Sequence, residues 1–94
     1  MIMITGTMNV EPDQRDEFLR FVRGLVPAER QKRGCLQFSI YEDVTTPNSF
    51  LMLEQWESRE ALDAHMESDD FEANDVLLAS FLIEDPVFDE YEFD

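Results

Sequence analysis

The chain has 94 residues, 44% hydrophobic and 12% aromatic, and 22 acids against 7 Lys and Arg give it a formal net charge of −15. That length suits one domain over residues 1–94, the apolar content is too high for a disordered acidic tail, and the charge speaks against nucleic acid. No apolar run approaches the roughly 20 residues of a membrane span, no charged leader with an apolar stretch opens the chain, and the single Cys35 fits a reducing, cytoplasmic compartment.

Met1 to Val10 reads as a strand, with Ile2, Ile4, Met8 and Val10 on one face and Met1, Met3, Thr5, Thr7 and Asn9 on the other. Glu11, Pro12 and Asp13 signal a helix start, because proline is tolerated in a first turn and acids favour the positive dipole end. Phe18, Phe21, Val22, Leu25 and Val26 then form one apolar stripe at helical spacing. Pro27 should kink or end this helix, with a short basic turn leading to Gly34.

Cys35 to Val44 alternates again, placing Leu36, Phe38 and Ile40 opposite Gln37, Ser39 and Tyr41. A turn at Thr45–Asn48 leads into Ser49–Glu57, where Phe50, Met52, Glu54 and Trp56 share a face, completing a hairpin. Ser58 caps a short helix through Ala61, Leu62, His65 and Met66, and Ser68 reads as the cap of a second that carries Phe71, Asn74, Leu78 and Phe81. Pro86 breaks this helix, and Val87 to Phe93 forms a last strand.

The order β-α-β-β-α-β, with the second helix split, is the α+β ferredoxin-like arrangement: an antiparallel sheet with helices on one face. The opposite face keeps Met1, Met3, Tyr41 and, depending on register, Phe50, Met52 and Trp56. Small monomers rarely expose so large an apolar patch. Covering ~600 Å² per subunit is worth on the order of 15 kcal/mol before association costs. A homodimer joined through its open sheet faces is therefore expected, enclosing cavities between sheet and helices where a ligand would sit.

The charge is uneven. Residues 1–33 hold six bases and five acids, whereas residues 34–94 hold one base, Arg59, and seventeen acids. The plain reading is a solubilising surface, and the sharper one is adaptation to high salt.

The runs Gly34–Asp43, Ser49–Glu57, Ser58–His65 and Ser68–Phe71 together resemble the antibiotic biosynthesis monooxygenase family, dimeric α+β barrel proteins that include small quinol monooxygenases. The resemblance extends to about Phe81. It implies oxygenation of a quinol, anthrone or polyphenol by dioxygen, with no cofactor: no flavin, no haem and no metal. Haem-degrading relatives carry an Asn, a Trp and a His where this chain has Thr7, His65 and Asp75, so haem is not expected.

Such chemistry needs a general base, a dry cavity and donors for a developing anion. His65, the only histidine, lies toward the buried side of its helix and is the first catalytic candidate, the alternative being a hydrogen-bonded core histidine. Glu54 is the second, because a mid-strand carboxylate in phase with Met52 and Trp56 suits a polar cavity wall, where burial would raise its pKa. Trp56, Tyr41 and Phe71 are candidates for an aromatic wall. Thr7, Asn9 and Ser39, with Thr5 and Gln37, are candidates for orienting a substrate oxygen. Cys35 has no base partner, and Glu42–Asp43 and Asp69–Asp70 lack metal-ligand spacing with His65. The competing readings are a non-catalytic barrel that binds a small molecule or serves in stress response, and an isomerase on the same scaffold.

Overall fold

Period-two alternation produces four strands, β1 (Ile2–Asn9), β2 (Cys35–Glu42), β3 (Ser49–Trp56) and β4 (Val87–Glu92). The computed structural model describes all 94 residues. A single 3-10 turn at Pro12–Gln14 leads into helix α1 (Arg15–Arg30), and the second helical segment is split into α2 (Arg59–Met66) and α3 (Phe71–Ala79). The strands form one antiparallel sheet in the order β2-β3-β1-β4, which stays open with β2 and β4 as its edges. This is the expected α+β, ferredoxin-like topology. No helix is long and apolar enough to cross a membrane.

The helices cover one sheet face. Phe18, Val22 and Leu25 of α1 are buried there against Met8 of β1, Phe38 of β2 and Phe50 and Met52 of β3, with Leu78 and Phe81 closing the cluster. A smaller cluster joins Ile2, Trp56 and Leu62. The pairing Ile2↔Trp56, Ile4↔Glu54, Gly6↔Met52 and Met8↔Phe50 settles the register that the pattern left open. Phe50, Met52 and Trp56 face the helices, while Leu51 and Leu53 face away, alongside Met3, Thr5 and Thr7.

Three local expectations need correction. The helix does not end at Pro27. Proline there leaves only the Arg23 carbonyl without its intrahelical partner. Arg23 is exposed, so water can serve that carbonyl, and α1 continues to Arg30. Leu36 does not join Phe38 and Ile40, because a bulge pairs Cys35 with Trp56 and Gln37 with Gln55 and leaves Leu36 unpaired and 55% exposed. Ser68 does not cap α3 with its side chain, because its hydroxyl donates instead to the His65 carbonyl at 2.5 Å.

Ser58, by contrast, caps α2 as expected, accepting from the Ala61 N–H at 3.1 Å. Gly34 just before β2 has φ +83°, and a Cβ there would fall 2.5 Å from that of Ala61. The missing side chain lets α2 sit directly on the turn that follows α1. The extra turn of α1 and this close approach bring the two helices' polar groups together.

Candidate active site

The site begins with Glu54. Its place in the Phe50-Met52-Glu54-Trp56 alternation commits it to the helix-covered face, where it is 6% exposed. Trp56, two residues on and on the same face, donates its indole N–H to Glu54 Oε1 at 3.0 Å. That bond uses one carboxyl oxygen and leaves the other to the space above the sheet.

His65, 8% exposed, descends from α2 onto this pair. Its ring stacks on Trp56 with centroids 4.5 Å apart and meets the edge of Phe71 at 5.1 Å. The imidazole plane is therefore fixed by aromatic contact on two sides. Nε2 lies 3.8 Å from Glu54 Oε1, too far for a hydrogen bond. On the other side Nδ1 lies 3.1 Å from Glu29 Oε2 and 3.1 Å from Lys32 Nζ. Lys32 also reaches Ser68 Oγ at 3.1 Å, Asp70 Oδ1 at 3.0 Å and Glu29 Oε1 at 3.3 Å.

Burial dominates the electrostatics. It lowers the His65 pKa to about 4, helped by the nearby Lys32 ammonium and opposed by Asp70. It raises Glu54 to about 7 against the pull of the Trp56 hydrogen bond, with the Glu29 charge adding to the rise. It also raises Glu29, opposed by Lys32. At neutral pH the imidazole is uncharged and Glu54 is close to half protonated. The His65 contacts with the two carboxyls are thus not ion pairs in the resting protein.

These groups border a cavity of about 310 Å³ between the sheet and the split helix. Nine of its sixteen lining residues are hydrophobic, among them Ile4, Phe38, Met52, Leu62, Phe71 and Phe88. The polar ones are Glu29, Glu54, His65, Asn74, Asp75, Asp89 and Glu90, with no Lys or Arg. This is a small ligand pocket by volume. Glu29 and Glu54 face opposite nitrogens of one ring and cannot converge on one point, and no group of three His, Cys, Asp or Glu side chains is disposed to hold a metal ion.

Of the residues singled out from the sequence, the structure brings His65, Glu54 and Phe71 to the cavity wall. Trp56 is fully buried behind His65 and supports it. Tyr41, Thr7, Asn9 and Ser39, together with Thr5 and Gln37, do not reach the cavity, because strand alternation turns them to the far face of the sheet. There Thr7 donates to the Val87 carbonyl, Asn9 to Glu84, and Ser39 accepts from Arg30. Glu29 and Lys32 also belong to the site, although the sequence pattern presents their stretch as a basic turn. The signal for Glu29 was present: Phe18, Val22, Leu25 and Glu29 recur at intervals of four, three and four, so a carboxylate continues the buried stripe.

The two shifted groups affect stability in opposite directions. The folded pKa of Glu54 lies above its ordinary 4.5, so its contribution is fully present below about pH 4.5 and is lost as pH rises through 7. The folded pKa of His65 lies below its ordinary 6.5, so its contribution is present above that value and is lost as pH falls through 4. Glu54→Gln keeps an acceptor for Trp56 and removes the first effect alone. Urea unfolding should show the variant gaining on the parent between pH 5 and pH 8, by up to about 3 kcal/mol. An unchanged difference at the two pH values would contradict the assigned burial of this carboxyl.

A family profile for antibiotic biosynthesis monooxygenases matches residues 1–74. The chain is 39% identical over 67 residues to an uncharacterized protein of Synechocystis sp., covering 71% of this chain but only 46% of that longer protein. It is 35% identical over 72 residues to YcnE of Bacillus subtilis, whose name marks it as a monooxygenase by inference, covering 77% of this chain and 76% of YcnE. Among solved structures, a conserved protein from Methanosarcina mazei Go1 superposes with a TM-score of 0.91 at 26% identity, covering 99% of this chain and 92% of that one. The sheet order, the split helix and these matches agree: the chain belongs to the antibiotic biosynthesis monooxygenase family.

Proposed function

We propose that this protein is a cofactor-independent monooxygenase acting on an uncharged quinol, anthrone or related phenol, with dioxygen as the second substrate. The observation that carries this reading is an uncharged imidazole, fixed against Trp56 and Phe71, on the wall of a mainly apolar cavity beside a carboxyl that titrates near neutrality. A neutral base in a mainly apolar pocket can take a proton from a phenol or an activated methylene. The resulting anion gives up an electron to dioxygen, and the two radicals combine as a substrate hydroperoxide. The peroxide takes back the proton held by the base, and loss of water turns the oxygenated carbon, an anthrone CH₂ or a quinol ring C–H, into C=O, so one oxygen atom enters the product, the other leaves in water, and the substrate supplies every electron. Protonated Glu54 serves as the donor to the developing oxyanion, a role that a carboxyl with a pKa near 7 can fill at neutral pH.

A lining that carries the carboxyl groups of Glu29, Glu54, Asp75 and Glu90 and no Lys or Arg favours uncharged substrates over carboxylates and phosphates. With quinols and anthrones, oxygen uptake should fall about 100-fold or more in His65→Ala and about 10-fold in Glu54→Gln. Absence of uptake across the panel would overturn the proposal, as would uptake indifferent to His65→Ala. Conversion without oxygen uptake would point instead to an isomerase.

We also propose that two copies meet through the uncovered sheet face, in the cytoplasm, where the Cys35 thiol stays reduced. That face presents Met3, Tyr41, Leu51, Leu53, Val87 and Tyr91, and Asp89 is its one charged strand residue in a chain of net charge −15. Like-charged copies can approach closely only where charge is sparse. Sedimentation should report twice 11.0 kDa at micromolar concentration, and Leu53→Asp should halve it with the fold retained. A parent protein sedimenting at 11.0 kDa would contradict the pairing.

A further inference from the structure

We propose that Glu29 is a positioning residue that accepts the Nδ1 proton of His65, so that the Nε2 lone pair is turned toward Glu54 and the cavity. This inference rests on His65 being the base.

The starting observation is an imbalance. Both oxygens of Glu29 are buried, and neither has a partner with hydrogen-bond geometry, although His65 Nδ1 and Lys32 Nζ stand 3.1 and 3.3 Å away. A buried carboxylate without hydrogen bonds is costly, and native structures seldom leave one so. The Lys32 ammonium has three N–H groups. Two are used by Ser68 Oγ and Asp70 Oδ1, and the third lies between His65 Nδ1 and Glu29 Oε1.

Two tautomers distribute these protons differently. With the ring proton on Nε2, Lys32 donates its third N–H to Nδ1. Glu29 Oε2 then faces a bare nitrogen lone pair, and both carboxylate oxygens stay orphaned. With the ring proton on Nδ1, His65 donates to Glu29 Oε2, and Lys32 is free to turn its third N–H to Glu29 Oε1. Neither contact has hydrogen-bond geometry as it stands, so the proton shift is accompanied by a small rotation of the Glu29 carboxyl and the Lys32 ammonium; together they satisfy both orphaned oxygens with no backbone movement. The second arrangement is therefore the resting one.

Its chemical consequence lies on the opposite side of the ring. Nε2 becomes an acceptor, unblocked because Glu54 Oε1 is 3.8 Å away and bonded to Trp56. When a substrate hydroxyl transfers its proton to Nε2, the electron pair stays on the substrate oxygen, and the new imidazolium keeps its Nδ1–H on the Glu29 carboxylate. The charged groups facing this ring are Glu29 and Lys32 from α1 and the turn after it, Asp70 from the link between α2 and α3, and Glu54 from β3. Cys35 of β2 stands nearby as a neutral thiol, because burial pushes its pKa up.

The test uses ¹⁵N-labelled protein without substrate, so it does not depend on the oxygenase reading. Long-range ¹H–¹⁵N correlations at pH 7 should place the His65 proton on Nδ1. In Glu29→Gln the amide can donate to Nδ1, and the ring proton should move to Nε2. Lys32→Met, which removes the competing donor, should keep it on Nδ1. A parent protein with its proton on Nε2 would overturn the proposal, as would a Glu29→Gln spectrum with no change. On a turned-over phenol, Glu29→Gln should lower kcat 10- to 100-fold with KM unchanged and move the acidic limb of the pH profile to lower pH. If His65→Ala abolishes turnover while Glu29→Gln retains full kcat and the parental pH profile, this inference fails and the proposed function stands. If no phenol is turned over, the proposed function fails and the tautomer alone decides this one.

Discussion

The organising constraint is one imidazole held out of water between two buried carboxyls. Glu29 is 2% exposed, Glu54 6% and His65 8%, and a single ammonium, Lys32, stands close enough to offset them. Taking charge out of water costs several kcal/mol per ion, so the cluster is tolerable only when its protons are distributed to leave few charges. A neutral His65 and a partly protonated Glu54 are that solution. The same economy creates reactivity, because an uncharged base and a carboxyl that can donate at neutral pH stand on one cavity wall.

The rest of the fold serves this placement. β3 supplies Glu54 and Trp56 from a single alternation, and Trp56 locks both the carboxyl and the ring above it. The split between α2 and α3 lets His65 and Phe71 converge from consecutive helices on one cavity. Continuation of α1 past Pro27 carries Glu29 and Lys32 beneath α2, where a helix ending at the proline would have left the Nδ1 side of His65 without partners. The two faces of the sheet divide the work: the covered face builds the cavity, and the other mixes apolar with uncharged polar residues and stays nearly free of charge.

Much of this was legible in the sequence, and the limits have physical causes. Alternation and helical spacing are local signals, so the four strands, the apolar stripe of α1, the Ser58 cap and the shared face of Met52, Glu54 and Trp56 could be read directly. Leu36 could not, because a bulge depends on how two strands pair and leaves no mark on one of them alone. Proline's usual effect hid the last turn of α1, and with it Glu29. Thr7, Asn9, Ser39 and Tyr41 were misplaced relative to the site because alternation separates two faces without saying which one the helices will cover. The contact between Lys32 and His65 joins residues 33 apart in sequence, and no local pattern reports it.

The most direct test of the central claim is a crystal structure of the protein soaked with a hydroquinone under anaerobic conditions, where oxygenation cannot proceed. The account expects the ring inside the cavity with one hydroxyl oxygen within about 3.2 Å of His65 Nε2 and a second contact to Glu54. A cavity left empty at saturating hydroquinone, or a ring bound there with both hydroxyls directed away from His65 and Glu54 toward Asp75 and Glu90, would contradict it.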